Sequence, residues 1–141
     1  MPSIAPAGPV SKKRLWTGRI VSALAVVFLL VDGVMKVVKA PVVVEGSIKL
    51  GYPESAIVGI GIVLLTCTLL YVIPQTSILG AVLLTGYLGG AVATHVRVGD
   101  PLFSHVLFPV YMGAMLWGGL FLRDNRLRCC HFIPQLEGST S

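Results

Sequence analysis

Charged side chains are scarce in this sequence, and acidic side chains are the scarcest. Asp, Glu, Lys and Arg make up 12% of the 141 residues, whereas 55% are hydrophobic and the mean hydropathy is +0.85. Because soluble domains carry about 25% charged residues, this composition excludes an ordinary soluble domain. The net charge of +5 comes without a basic helix or aromatic–basic interleaving, so we expect no nucleic-acid partner.

Cysteine motifs and catalytic signatures are also missing. Cys67 lies in an apolar segment, Cys129 and Cys130 are adjacent, and no Cys-x-x-Cys occurs. Neighbouring cysteines reach disulfide geometry only with strain, which favours reduced thiols. The sequence contains no Ser-His-Asp signature, phosphate-binding glycine loop, haem motif or iron–sulfur cysteine set, and its histidine spacing matches no zinc motif. We therefore expect no metal and no intrinsic cofactor.

Four long apolar segments are what the sequence does contain. They cover residues 20–38, 56–73, 78–98 and 102–122, each close to the roughly 20 residues that a helix needs to cross the hydrocarbon core. The pattern predicts an all-α protein, a bundle of four transmembrane helices. The short turn at 74–77 predicts that the second and third spans form an antiparallel hairpin.

The first span resembles a secretory signal in its basic flank and apolar core. Asp32 and Lys36 interrupt this core, however, and Pro41 directly follows the loosely matching cleavage site. These departures favour an uncleaved first span. Later in the chain, Gly99 and Pro101 predict a chain break between the third and fourth spans.

The connection at residues 40–54 predicts a short interfacial helix between the first two spans. Pro41 suits a first helical position, and Gly51 suits the position after a helix end. Three consecutive valines keep a strand open as an alternative, although an unpaired strand would leave backbone groups unsatisfied in lipid. The expected organisation is a disordered tail at 1–14, one membrane domain at 15–128 and a flexible tail at 129–141.

The distribution of Lys and Arg predicts the orientation in the membrane. The segments at and beside the two termini carry seven of these residues, whereas the opposite side, counting the connections and the adjoining span ends, carries four: Lys36, Lys39, Lys49 and Arg97. The positive-inside rule therefore places both termini in the cytoplasm. The same orientation collects a set of ionisable groups in the outer half of the bundle: Asp32, Lys36, His95, Arg97, Asp100 and His105.

This outer cluster is the candidate site. Asp32 and Lys36 stand four residues apart on one helix face, so they can form an ion pair. The third and fourth spans add four polar side chains: Tyr87, Thr94 and His95 from the third and His105 from the fourth. Ionisable groups within spans mark function by default, but a structural ion pair and a satisfied buried histidine would explain the same residues. Both interpretations stay open, and the cluster is predicted to form one connected site.

Glycines give the third span a face without side chains, at Gly86, Gly89 and Gly90. Small residues four apart let helix backbones approach closely in lipid. We therefore predict that Gly86 and Gly90 lie at a close helix contact.

Several short motifs resemble the DoxX-like family. The most specific is Gly-Tyr-Leu-Gly-Gly-Ala at 86–91 with the histidine that trails it at 95. Further matches are Leu-Gly-Tyr-Pro at 50–53, Pro-Gln-Thr at 74–76, Leu-Gly-Ala at 79–81, Trp-Gly-Gly-Leu at 117–120 and Leu-Arg-Asp at 122–124. The resemblance covers residues from about Thr17 to Leu127 and implies a small bacterial four-helix membrane protein. The family's name comes from a subunit of a thiosulfate:quinone oxidoreductase, and other relatives associate with membrane redox complexes. No catalytic residues carry over.

Three functions fit these observations. The leading hypothesis is an accessory or quinone-binding subunit of a redox system in the bacterial cytoplasmic membrane, with oxidoreductase subunits as partners that supply the electrons. The second is a stand-alone enzyme for a lipophilic substrate, with His95 or His105 as acid–base group and Asp32 as its orienting carboxylate. The third is a non-catalytic assembly or structural protein, and a homo-oligomer is compatible with each.

Overall fold

A computed structural model describes residues 11–124 and residue 127, and no strand occurs in that part of the chain. Its elements follow in the order α1 (Lys12–Val37), α2 (Pro41–Lys49), α3 (Glu54–Val72), α4 (Ser77–Val98), the π-helical turn Leu102–Val106 and α5 (Phe108–Arg123). The predicted all-α class is confirmed, and so is the short helix between the first two spans.

Four segments are long and apolar enough to cross a membrane: α1, α3, α4 and the segment Leu102–Arg123 that contains the π-helical turn and α5. Large apolar side chains remain exposed on their outer faces, among them Leu24 at 61% and Leu69 at 59%. An apolar surface this extensive is a liability in water but suits contact with lipid tails. The predicted four-helix membrane bundle is therefore confirmed.

The spans form a ring in which each helix packs its backbone mainly against two neighbours. α1 packs against α3 and α5, and α4 packs against the same two helices, so α1 and α4 stand on one diagonal. α2 contacts α1 and α3, while the π-helical turn contacts α4 and α5. Both short elements therefore lie at one end of the ring, which we call the α2 end. The opposite end, where α1 begins and α5 finishes, is the terminal end.

A buried hydrogen-bond network joins three of the spans. Tyr71 of α3 is fully buried, and its hydroxyl donates to the Leu116 carbonyl of α5 at 2.7 Å. Because that proton is used, the Ser22 hydroxyl of α1 is the donor in the 3.1 Å contact with the Tyr71 hydroxyl. Arg123 donates to the Tyr71 carbonyl at 3.2 Å. Hydrogen bonds between helices help to hold a bundle together where lipid gives no hydrophobic drive to association.

Close helix contacts occur at glycines outside the predicted stripe. Gly18 of α1 and Gly119 of α5 lie at one contact, and Gly33 of α1 and Gly61 of α3 lie at another. A Cβ at any of these four would come closer than 3.0 Å to an atom of the facing helix. Gly80 of α4 is tighter still, because a Cβ there would overlap the Tyr71 backbone of α3.

The predicted close contact at Gly86 and Gly90 is not made within the described part of the chain, which corrects the sequence-based expectation. Gly86, Gly89 and Gly90 are exposed, and a Cβ added to any of them would meet nothing within 4 Å in the described part of the chain. The reason is the rotation of α4 about its axis. The stripe that α4 turns toward its neighbours contains Gly80, Ala81, Leu84 and Leu88.

The helix ends follow the local sequence. Gly51 (φ +86°) comes after α2 and Gly99 (φ +80°) ends α4, both in the left-handed region that favours glycine. Pro41 is the first residue of α2, as its fixed φ predicts. α1 begins at Lys12, so residues 12–14 are helical although they were expected in the disordered tail. The expectations for residues 1–10, Cys129, Cys130 and the rest of the C-terminal tail lie outside the described residues.

Candidate functional site

A cavity of about 460 Å³ lies at the α2 end of the bundle, with residues of all five α-helices and of the α2–α3 connection in its wall. Its polar side chains include Asp32, Lys36, Tyr52, Tyr87, Thr94 and His95. Its apolar side chains include Phe28, Leu29, Ile60, Phe108 and Met112. Five of the six residues predicted for the site, all except His105, therefore line this one cavity.

Asp32 and Lys36 form the ion pair that their spacing predicts. The Lys36 ammonium donates to Asp32 Oδ2, and the exposed fractions are 16% for the Lys36 side chain and 33% for the Asp32 side chain. In residues 11–124 and 127, the other carboxylate oxygen, Asp32 Oδ1, has no hydrogen-bond partner. The pair thus neutralises two charges in a poorly solvated place and leaves one acceptor atom at the cavity.

A chain of hydroxyl groups links the α2–α3 connection to α4. The Thr94 hydroxyl donates to the Gly90 carbonyl at 2.9 Å, which uses its proton. The Tyr52 hydroxyl is therefore the donor in its 2.8 Å contact with Thr94 Oγ1. A second tie lies nearby, since Arg97 donates to the Leu50 carbonyl at 2.9 Å. These bonds hold Tyr52 in the cavity wall.

His95 is held by Asp100. Its Nδ1 lies 2.6 Å from Asp100 Oδ2, and the exposed fractions are 20% for the His95 side chain and 28% for the Asp100 side chain. The contact is local, because Gly99 turns the chain and the Asp100 amide donates back to the His95 carbonyl at 3.1 Å. An ionised carboxylate only accepts, so Nδ1 carries the donated proton. The carboxylate in contact with His95 is therefore that of Asp100, whereas the sequence hypothesis named Asp32 as the partner.

His105 lies outside the cavity lining. It is an exposed residue of the π-helical turn, and its Nδ1 is 2.7 Å from the Ser104 hydroxyl. Its ring centre is 5.9 Å from the ring centre of His95. The fourth span therefore places a second histidine next to His95, but not among the groups that face the cavity.

Tyr87 presents a hydroxyl that has no hydrogen-bond partner among the described residues. The residue is partly buried in the α4 wall of the cavity. Its hydroxyl makes no hydrogen bond to the described part of the chain, in contrast to Tyr52 and Tyr71, whose hydroxyls both donate. Poorly solvated hydroxyls normally find a partner because leaving them unsatisfied costs about 1–3 kcal/mol. The Tyr87 hydroxyl is therefore available to a molecule in the cavity.

Side-chain contacts fill the gaps between two pairs of helices around the cavity, α1 with α5 and α1 with α3. Phe28 of α1 and Phe108 of α5 meet edge to face with ring centres 5.1 Å apart, and both line the cavity. Between α1 and α3, Gly61 lies against Gly33 and the stem of Lys36.

The seam between α3 and α4 is different. Ile60 of α3 lines the cavity from one side, and Gly86 and Gly90 line it from the other. Nothing in the described part of the chain comes within 4 Å of a Cβ built on either glycine. These glycines therefore leave space beside the polar cluster.

Sequence reasoning missed two side chains of the site. Tyr52 stands apart from the spans, and the signal for it was its place in the family-like Leu-Gly-Tyr-Pro motif at 50–53. Asp100 was counted among the outer charges but not paired with His95, although a left-handed glycine between them predicts a turn that brings them together. In residues 11–124 and 127, no group of three or more His, Cys, Asp or Glu side chains is arranged to hold a metal ion.

The fold and the cavity define a small, multi-pass integral membrane protein that contacts the lipid bilayer through its four spans. The chain belongs to the DoxX-like family, whose family model matches residues 20–119. No curated protein and no solved structure matches the chain.

Proposed function

We propose that this protein binds a lipophilic ring compound of the quinone class at the α2 end and serves as an accessory subunit of a membrane redox system. The observation that carries the proposal is one cavity in which the Asp32–Lys36 pair, Tyr87 and His95 meet apolar walls. Binding sites for small molecules combine mostly apolar linings with a few placed polar groups. The resemblance to a family with members in quinone-linked complexes supports the same ligand class.

The lining suits such a ligand. A volume of about 460 Å³ lies within the range of about 300–1,000 Å³ that small-molecule sites occupy. Phe28, Phe108 and Met112 offer apolar and aromatic surface to a ring, while the free Tyr87 hydroxyl and the Lys36 ammonium can donate to its oxygen atoms. When bound, a quinone would supply the electron-carrying chemistry, and these residues would hold and orient the ring.

The proposed location is the bacterial cytoplasmic membrane with both termini in the cytoplasm. Seven Lys and Arg residues lie in or beside the terminal segments of the sequence, whereas four lie in the connections and adjoining helix ends at the α2 end. This orientation turns the cavity toward the outer side of the membrane. The proposed partner is an oxidoreductase subunit that exchanges electrons with the bound ring.

Binding of a short-tailed ubiquinone analogue to the full chain in lipid nanodiscs tests whether the protein binds a compound of the quinone class. Tyr87→Phe should weaken binding by about threefold to tenfold, because it removes one hydrogen bond. Tyr111→Phe is the matched control, since Tyr111 is 52% exposed and does not line the cavity. The proposal is contradicted if the wild-type chain shows no saturable binding, or if both substitutions have the same effect.

Copurification in mild detergent tests the redox partner. An oxidoreductase subunit should be recovered with the tagged protein in stoichiometric amount from the native membrane. Recovery of the chain alone, together with unchanged thermal stability on addition of the quinone analogue, would overturn the proposal.

One observation favours a second function, that of a stand-alone acid–base enzyme. Asp100 holds His95 by Nδ1, which leaves the other ring nitrogen for proton transfer at the cavity. The test is deuterium exchange from solvent into a lipophilic, enolisable ketone by the purified protein alone. Exchange that is fast in the wild type and lost in His95→Gln would support this function, whereas a rate equal to that of empty nanodiscs would exclude it for that substrate.

A further inference from the structure

The hydrogen-bonding state of His95 restricts the ligand more narrowly than the cavity shape does. Nδ1 donates to Asp100 Oδ2, so in the neutral ring Nε2 carries a lone pair and no proton. The ring lines the cavity, and Nε2 is its remaining polar atom. No donor in residues 11–124 and 127 reaches it. The cavity therefore contains an acceptor that needs a donor from the ligand.

Asp32 adds a second acceptor to the same cavity. Lys36 occupies Oδ2, and Oδ1 has no partner in the described part of the chain. A carboxylate oxygen can only accept, like the lone pair of Nε2. The oxygen atoms of a quinone are carbonyl acceptors, so a quinone placed against either atom would set acceptor against acceptor.

We propose that the cavity takes the hydroquinone form rather than the quinone form, with a ligand hydroxyl donating to His95 Nε2. Asp100 is then the positioning residue, because its carboxylate holds the proton on Nδ1 and makes Nε2 an acceptor. A hydroquinone oxygen also accepts, so the same ligand can use the Tyr87 hydroxyl or the Lys36 ammonium as a donor. This inference rests on the proposed function, since it names the redox form of the ligand proposed there.

Nitrogen-15 NMR of the ligand-free protein tests the proton position. His105→Gln and His131→Gln leave His95 as the only histidine of the labelled chain. At about pH 8.5, where a histidine is neutral, the ring proton should reside on Nδ1 in this background. Asp100→Asn should move it to Nε2, because the Asn amide can donate to Nδ1. A proton on Nε2 with Asp100 intact overturns the inference, whatever the ligand.

A comparison of the protein's affinities for the quinone and the hydroquinone form of one compound tests which redox form the cavity binds. Under anaerobic conditions at the same pH, the wild type should bind the hydroquinone about threefold to tenfold more tightly than the quinone, the contribution of one hydrogen bond. Asp100→Asn should abolish or reverse this ratio, and Asp100→Glu should restore it. Glu54→Gln is the matched control, because Glu54 pairs with Lys39 at 3.2 Å and does not line the cavity.

The outcomes separate this inference from the proposed function. Equal affinities, or a preference for the quinone, overturn the hydroquinone assignment and leave the proposed function standing. Failure of the wild type to bind either form overturns both. If Asp100→Asn weakens both forms equally, Asp100 has only a structural role and the inference is wrong.

Discussion

Tyr71 and Tyr87 show how two identical side chains in one bundle acquire different roles. Tyr71 is fully buried, donates to the Leu116 carbonyl and accepts from Ser22, so its hydroxyl belongs to the framework. Tyr87 faces the cavity, and its hydroxyl has no partner in the described part of the chain. The same chemical group therefore stabilises the fold in one place and remains available to a ligand in the other.

Substitution of each tyrosine by Phe should separate these roles. Tyr71→Phe should lower the free energy of unfolding by about 1–3 kcal/mol, because it removes two hydrogen bonds between helices, one to the Leu116 carbonyl and one from the Ser22 hydroxyl. Tyr87→Phe should leave it unchanged, because no hydrogen bond within the described part of the chain is lost. Denaturant titration in detergent micelles measures both. A Tyr87→Phe protein as unstable as Tyr71→Phe would show that the Tyr87 hydroxyl is bonded within the protein.

The Asp32–Lys36 pair should behave as a coupled unit. Asp32→Asn alone leaves the Lys36 ammonium, with its side chain 16% exposed, without its carboxylate. It should therefore destabilise the fold by about 1–3 kcal/mol more than the double change with Lys36→Met, which removes both charges. The exposed pair of Lys39 and Glu54, 3.2 Å apart, is the control and should show additive losses. Additive losses at Asp32 and Lys36 as well would mean that the pair does not contribute as a unit.

At the scale of the element, α4 carries glycines of two kinds. Gly80 lies where the helix crosses Tyr71, and a side chain there would overlap the backbone of α3. Gly86 and Gly90 line the cavity, and a Cβ at either would meet open space. Gly89 also has open space but does not line the cavity, so it separates the effect of a side chain on the helix from its effect on the site.

Leu substitutions along α4 should therefore give three different results. Gly80→Leu should prevent folding or cost several kcal/mol, since overpacking costs about 1–3 kcal/mol even where side chains can shift. Gly90→Leu should keep the stability of the wild type but weaken binding of the quinone analogue, because its side chain enters the ligand space. Gly89→Leu should change neither. Thermal unfolding and ligand titration of the three variants provide the measurement. A Gly90→Leu protein that fails to fold would contradict the open position of Gly90 and support the close helix contact predicted from the sequence.

At the scale of the whole molecule, the orientation in the membrane decides which side of the membrane the cavity faces. Asp32, Lys36, Tyr87 and His95 all belong to the α2 end, and the chain termini belong to the other. The side of the membrane that the termini occupy therefore decides which compartment the cavity faces. The bias of Lys and Arg toward the termini favours an outward-facing cavity.

A reporter fusion tests this orientation. Alkaline phosphatase fused after Gln135 should be inactive, because it folds to an active enzyme only outside the cytoplasm. Insertion of the same reporter after Lys49, between α2 and α3, should give an active enzyme. The opposite pattern would reverse the topology and place the cavity on the cytoplasmic side.

The helices, their ends and one ion pair could be predicted from the sequence, because they depend on interactions between residues close together in the chain. Lipid cannot hydrogen-bond the backbone, so an apolar segment of sufficient length must be a helix, and the four spans follow from hydropathy alone. The Asp32–Lys36 pair follows from the pitch of one helix, and the breaks at Gly51 and Gly99 follow from the backbone freedom of glycine. Each of these features depends on residues close together in the chain.

The tertiary structure decided how the helices are rotated against one another. In a bilayer, both faces of a helix are apolar, so hydropathy does not tell which glycines pack and which stay open. Gly80 is therefore the tight contact, whereas Gly86 and Gly90, whose spacing predicted a close contact, line the cavity. Tyr52 reached the site for the same reason, since its partner Thr94 is 42 residues away in the sequence. Packing of the whole ring, rather than any local pattern, determines which side chains face the cavity.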